Sequence, residues 1–147
     1  MSLQDWFNNQ WLRSHTTSRQ EVSELLSVLD RNLTDCRHPE LSVDARFNFA
    51  YQAAMQTASI ALRACGFLPS KGGYEHFRTI QSLTLTMQTD SIVVDQLDRF
   101  RGKRSTAMYE CAGTVSEAEA REMIDLAFRL REELMAWLRN RYPRLLT

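Results

Sequence analysis

The chain has 147 residues, enough for one domain with a buried hydrophobic core. Its 18 basic and 18 acidic side chains cancel, so any electrostatic function must be local. No stretch approaches the roughly 20 consecutive apolar residues of a membrane span, and residues 1–9 lack the basic start and apolar middle of a secretory signal. These features exclude a membrane-spanning protein and predict a cytoplasmic one.

The first 17 residues are predicted to be a lead-in to the folded domain. Residues 3–14 are rich in aromatic side chains, and we expect one short helix there, with Trp6 and Trp11 capping the end of a bundle. The first long helix is predicted from about Ser18 to Cys36, where apolar residues recur at helical spacing. Ser18 and Glu21, three positions apart, have the pattern of a capping box.

A second helix is predicted from about Val43 to Cys65, followed by Gly66 as a helix-ending residue. Alanines dominate its apolar face and allow a neighbouring helix to approach closely. Residues 67–73 are predicted to form a plain loop, because they lack the full glycine-rich pattern of a phosphate-binding loop. A weaker third helix follows from Tyr74 to about Met87, where β-branched threonines lower the helix propensity.

The fourth helix is predicted to begin at a cap on Asp90 or Ser91 and to run to about Tyr109. Ser116 and Glu119 form a second capping-box pattern, which opens a last helix that ends before Pro143. This helix carries the longest apolar stripe of the chain: Met123, Leu126, Ala127, Leu130, Leu134, Trp137 and Leu138.

No segment shows sustained two-residue alternation, so no strand is predicted. Short connections between long amphipathic helices favour antiparallel packing. The predicted fold is therefore all-α, an antiparallel up-and-down bundle of four to five helices that spans residues 18–142.

Cysteines and histidines do not predict a disulfide, a metal site or a cofactor. The cysteines are odd in number, lie far apart and each continue a helical apolar stripe, so we expect reduced core residues: Cys36, Cys65 and Cys111. The histidines show no spacing that would place two on one helix face: His15, His38 and His76.

The fourth helix contains the one anomaly that predicts chemistry. At about 100° per residue, Arg104 falls near the centre of an apolar face, with Arg101 on its edge and Lys103 to one side. That face consists of Val93, Leu97, Phe100, Ala107 and Met108. Burying an unpaired guanidinium costs several kcal/mol, so Arg104 must meet a carboxylate, reach water through a cleft, or line an interface.

Two interpretations of Arg104 follow from the residues alone. One is a structural ion pair, with an acidic partner that the last helix could supply. The other is a site for phosphate or carboxylate, which the bidentate guanidinium fits well. Ser105 and Tyr109 share a helix face, whereas Arg104 and Tyr109 are about 140° apart on a regular helix. Convergence of that pair is therefore expected only if the helix bends or unwinds.

The segment Leu97–Glu110, LDRFRGKRSTAMYE, resembles the signature of HEPN domains, which are small helical bundles associated with nucleotidyltransferases, toxin–antitoxin systems and defence RNases. The order of features over about residues 18–140 is similar to that of stand-alone bacterial HEPN proteins. These features are an alanine-rich second helix, a GFLPSKGG loop, a third helix bearing His76, the basic segment, and a capped last helix.

The motif of active HEPN RNases is an arginine, a polar residue and then a histidine four to six positions later. The resemblance implies that such residues act without metal in a dimer cleft. Arg104 matches the arginine and Ser105 the polar residue, but Tyr109 stands where the histidine is expected. An unperturbed tyrosine has a pKa near 10 and is a poor base at neutral pH. This chain thus retains the residues of the motif that would bind an anion, but it lacks the histidine that would act as acid and base.

The leading hypothesis is a non-catalytic HEPN-like interaction module, homodimeric, that binds a protein partner or nucleic acid through the Arg101–Tyr109 region. The resemblance implies a nucleotidyltransferase partner or a role in a toxin–antitoxin or stress system. The alternative is a metal-independent RNase in which Arg104 and Tyr109 are catalytic and Arg101, Lys103 and Ser105 bind RNA. A third hypothesis makes Arg104 purely structural.

Overall fold

The computed structural model describes all residues, 1–147, and confirms an all-α antiparallel bundle. Its helices follow in chain order: α1 (Leu3–Asn8), α2 (Arg19–Asp35), α3 (Val43–Ala64), α4 (Glu75–Gln81), α5 (Ser91–Tyr109) and α6 (Glu117–Arg141). Single turns of 3₁₀-helix follow α4 and α6, at Ser82–Thr84 and Pro143–Leu145. None of the helices combines the length and apolarity that a membrane crossing requires.

Helix α3 lies at the centre of the bundle and packs against α2, α4, α5 and α6. Its alanines at 50, 53, 54, 58 and 61 are fully buried, as expected for close helix approach. Phe47 meets Phe100 of α5 edge to face, with ring centroids 5.4 Å apart. This contact anchors the first half of α5 to the core.

A two-stranded antiparallel sheet was not expected from the sequence. It consists of β1 (Leu12–Ser14) and β2 (Phe67–Pro69), with Arg13 opposite Leu68. Three-residue strands are too short to show an alternating pattern, so periodicity does not detect them. The lead-in helix therefore ends at Asn8, earlier than predicted. The sheet joins the lead-in to the segment that follows α3. Trp6 and Trp11 pack edge to face there, over a small cluster separate from the main core.

Helix α4 is shorter than the predicted Tyr74–Met87 helix. Hydroxyl groups of Ser82, Thr84 and Thr86 donate hydrogen bonds to backbone carbonyls three or four residues earlier. Such side-chain bonds compete with regular helix geometry. The chain therefore passes into a 3₁₀ turn after Gln81.

The two predicted capping boxes have different outcomes. The box of Ser116 and Glu119 at α6 is complete. At α2, Ser18 accepts the backbone N–H of Glu21, but the Glu21 carboxylate binds His15, Thr17 and Arg63 instead. Only half of the predicted α2 box is therefore present.

The prediction of three core cysteines is wrong for one of them. Cys36 is buried and Cys65 half-buried, but Cys111 is exposed. Helix α5 ends at Tyr109, so Cys111 lies beyond the helix whose stripe it was expected to continue. All three thiols are free.

Candidate anion-binding cleft

The apolar face of α5 is buried over its first half only. Val93, Leu97 and Phe100 belong to the core, whereas Met108 is 44% exposed. Arg104 therefore lies where the apolar face leaves the core, not in the middle of a buried stripe. Its side chain is half-buried at that boundary.

The Arg104 guanidinium has no carboxylate partner. Its Nε–H donates to the side-chain oxygen of Asn48 on α3, at 3.0 Å, and this is its only hydrogen bond. None of the ion pairs of the chain includes Arg104. No acidic residue of α6 pairs with Arg104, and Glu119 pairs instead with Lys103 at 3.1 Å. Of the five N–H donors of a guanidinium, the four on its terminal nitrogens remain free.

Arg104, Arg101 and Ser105 line one surface cleft of about 280 Å³, together with three residues at the start of α4: Gly73, Glu75 and His76. The Arg101 guanidinium bonds Asp98 of its own helix at 2.9 Å, so its charge is partly neutralised. Glu75 is the one carboxylate in the lining, and one of its oxygens accepts the backbone N–H of Gly73. Hydrogen bonds from backbone N–H groups lower the pKa of the Glu75 carboxyl group and keep it ionised.

His76 brings an imidazole to this cleft from a different helix. Its Nδ1 lies 3.3 Å from the hydroxyl of Tyr51, a fully buried residue of α3. Burial raises the pKa of Tyr51 to about 12, so the hydroxyl keeps its proton. Either group can donate in this pair, depending on the histidine tautomer. Because the hydroxyl has no other hydrogen-bond acceptor, we assign it as the donor, which places the histidine proton on Nε2.

The pKa of His76 lies below its ordinary value of 6.5, first because of burial and then because of the charges of Arg104 and Arg101. His76 is therefore neutral at pH 7. In this form its Nε2–H is a hydrogen-bond donor, like the free N–H groups of Arg104.

Arg104 and Tyr109 approach each other although α5 neither bends nor unwinds between them, which was expected to be necessary. The guanidinium carbon lies 5.8 Å from the Tyr109 ring centroid and 5.5 Å from that of Tyr51, while α5 continues to Tyr109. The Arg104 side chain is long enough to reach the Tyr109 ring, although the two residues point in different directions from the helix axis. Tyr109 is 73% exposed and does not line the cleft, so it flanks the arginine from the solvent side.

Of the five predicted site residues, the structure gathers three in the cleft, Arg101, Arg104 and Ser105. Lys103 turns toward α6, and Tyr109 lies beside the cleft. Sequence reasoning missed the contributions of His76, Tyr51 and Asn48 to this site. They come from α3 and α4, and no local spacing relates them to α5.

The fold and this cleft define a small all-α bundle with a surface cleft lined by two arginines, one of which has no carboxylate partner. No group of three or more potential metal-ligating side chains is present. Comparison with models of protein families, with curated proteins and with solved structures finds no match to this chain.

Proposed function

We propose that this protein is a non-catalytic, HEPN-like interaction module that binds a phosphate group of nucleic acid in the cleft of Arg104, Arg101 and His76. The observation that carries the proposal is the half-buried Arg104 guanidinium without a carboxylate partner. Leaving such a charge unpaired costs free energy that an anionic ligand would recover. Phosphate oxygens suit the bidentate guanidinium, and the His76 Nε2–H adds a neutral donor.

Binding without catalysis fits the chemistry of the cleft better than cleavage does. A general base needs an unprotonated nitrogen or oxygen near the proton that it removes. With the Tyr51 hydroxyl assigned as the donor, the unprotonated nitrogen of His76 already accepts a hydrogen bond, and Tyr109 lies outside the cleft. The cleft therefore offers donors to an anion but no free base.

Equilibrium binding of a short, fluorescently labelled single-stranded RNA, followed by anisotropy at low salt, tests the proposal. Arg104→Ala is expected to weaken binding about tenfold or more, because a hydrogen-bonded charge contributes roughly 1.5–3 kcal/mol. Arg99→Ala removes the same charge from an exposed position of α5 and serves as the matched control. Equal affinity of wild type and Arg104→Ala would exclude the proposed cleft.

The second candidate function is a metal-independent RNase, and the specific observation in its favour is His76. This residue supplies an imidazole beside Arg104, which the HEPN-like motif itself lacks at Tyr109. Catalysis would require the Tyr51 hydroxyl to turn away so that one ring nitrogen is free to accept a proton. RNA cleavage in the presence of a chelator distinguishes the two functions. Activity lost in both Arg104→Ala and His76→Ala supports the RNase, and equal background cleavage in wild type and Arg104→Ala excludes it.

The resemblance to HEPN domains adds two further parts to the proposal, a homodimer and a nucleotidyltransferase or toxin–antitoxin partner. Exposed apolar side chains lie beside the cleft at the end of α5, where Met108 and Tyr109 face solvent. Such side chains are enriched at protein interfaces. We propose that the two subunits of the homodimer contact each other through this apolar surface.

A further inference from the structure

A second cleft adjoins the first and shares Glu75 and His76 with it. Its volume is about 370 Å³, and it extends along α3 toward the β1–β2 sheet. Three basic residues line it: Arg13, Arg63 and Lys71. The two clefts together form one groove, which we call the α3 groove.

One side of the groove is a polar stripe on α3. Asn48, Gln52, Gln56, Ser59 and Arg63 recur every three or four residues, so they lie along one side of the helix. From the first to the last is about 22 Å at 1.5 Å per residue. The stripe begins at Asn48, which binds Arg104, and ends at Arg63, which pairs with Glu21 at 3.1 Å.

Positive charge lies in both clefts of the groove. Arg104 and Arg101 line the first cleft, and Arg13 and Lys71 line the second, where they are exposed and form no ion pair. Glu75 is the one carboxylate that lines the two clefts. A ligand with negative charges at intervals along its length therefore complements the groove better than one with a single anionic group.

Amide groups and apolar atoms line the second cleft together with these charges. The Gln52 side chain has no hydrogen-bond partner, and Gln56 uses only its oxygen, which accepts from Asn32. Met55, Leu68 and Pro69 add apolar surface to the same cleft. Amides recognise the edges of nucleobases, and those edges are accessible when the strand is unpaired.

We infer that a single strand of nucleic acid lies along the α3 groove. One phosphate binds at Arg104 and Arg101, a later phosphate binds at Arg13 and Lys71, and a base between them contacts Gln52 and Gln56. The inference rests on the proposed phosphate-binding function and names the form of its ligand. An acidic peptide would match the charges as well, so it is included in the test as a competitor.

Anisotropy titrations with two labelled RNA strands test the inference, one of two nucleotides and one of about ten, which exceeds the length of the stripe. The double variant Arg13→Ala/Lys71→Ala is expected to weaken the longer strand about tenfold. It should also reduce the slope of log affinity against log salt by about 0.7, the value expected for one phosphate contact on a single strand. Binding of the two-nucleotide strand should stay unchanged, whereas Arg104→Ala weakens both strands.

Gln52→Ala is expected to weaken the longer strand without changing its salt slope, because the amide carries no charge. The control pair Arg121→Ala/Arg139→Ala removes the same charge from exposed positions of α6. Melting temperatures of all variants check that they fold. A DNA strand of equal length tests whether the 2′-hydroxyl is read, and either equal affinity or RNA preference agrees with the inference.

Three results would overturn the inference. The first is wild-type affinity and salt slope in Arg13→Ala/Lys71→Ala with the longer strand. If Arg104→Ala still lowers the affinity for both strands in that case, the proposed phosphate site stands and only the extended groove is contradicted. The second is tighter binding of duplex than of single strand, and the third is equal competition by an acidic peptide. Absence of binding to either strand would remove both proposals together.

Discussion

Arg104 holds a full positive charge at the point where α5 leaves the core, with one neutral amide as its hydrogen-bond partner. A structural arginine in this position would be expected to hold a carboxylate, as Arg46 does with Glu117 at 3.0 Å. The charge of Arg104 therefore contributes little to folding. Its remaining donors are the groups that bind phosphate in the proposed function.

Replacing Arg104 by methionine is expected to leave the free energy of unfolding unchanged or to raise it by about 1 kcal/mol. The apolar chain keeps the packing, and the desolvation cost of the charge disappears. Arg46→Met, which breaks an ion pair and a bond to the Leu41 carbonyl, should instead destabilise the protein. Urea denaturation measures both. A loss of more than about 1 kcal/mol in Arg104→Met would make the arginine structural.

The imidazole of His76 should titrate below its ordinary pKa of 6.5, and Arg104→Ala should move that pKa upward. Its protonation is opposed first by burial and then by Arg104 and Arg101, while Glu75 acts in the opposite direction. Between the lowered folded pKa and the unfolded value, the unfolded chain binds more protons, so His76 makes stability fall as pH falls below about 6.5. Histidine NMR over a pH series measures the shift. A His76 pKa that is the same with and without Arg104 would contradict this electrostatic coupling.

Among the secondary-structure elements, the four long helices end close to their sequence signals, whereas α1 and α4 end earlier than predicted. Ser116 caps α6 and Glu119 completes the box, as the serine-to-glutamate spacing predicts. Ser116→Ala is expected to lower the free energy of unfolding by about 1 kcal/mol, because a backbone N–H at the first turn loses its acceptor. Ser91→Ala is the control, since that exposed hydroxyl makes no hydrogen bond. Equal urea midpoints for the two variants would show that the α6 cap contributes nothing.

Much of the bundle was predictable because amphipathic periodicity and caps are local properties of the chain. The ends of α2, α3, α5 and α6 agree with the sequence within a residue or two. The β1–β2 sheet and the early end of α4 were not predictable. A three-residue strand carries no period, and the hydroxyl bonds of residues 82–86 depend on the turn that they stabilise.

The candidate site was likewise predictable from the sequence only in part. Arg104, Arg101 and Ser105 could be found on α5 because the anomaly lies in one helix. His76, Tyr51 and Asn48 meet them only through packing of α3 and α4 against α5, which no spacing within the sequence encodes. The polar stripe of α3 was a local signal, yet it was overlooked beside the alanine face.

For the molecule as a whole, zero net charge provides no global attraction for nucleic acid, so the proposed binding must depend on local groups such as those of the α3 groove. Long-range steering should therefore be weak, and binding should depend on the groove residues and not on the overall basicity of the protein. This expectation is why paired charge-removal variants on α6 are suitable controls.

We predict a homodimer, with a molar mass by light scattering about twice that of the chain. The exposed Met108 and Tyr109 lie beside the cleft and form the proposed contact, so Met108→Glu/Tyr109→Glu should yield monomers by adding charge to an apolar interface. Ile92→Glu, at another exposed apolar position of α5, is the control and should leave the mass unchanged. A strict monomer in the wild type would contradict this part of the proposal.

The most direct test of the central claim is an NMR titration of the wild-type protein with inorganic phosphate. Binding at the cleft predicts saturable shifts of the His76 ring and the Arg104 Nε–H, a rise in the pKa of His76 as the anion offsets the arginine charges, and loss of these shifts in Arg104→Ala. Saturable shifts confined to other arginines, or none at His76 and Arg104, would contradict the claim that this cleft binds phosphate.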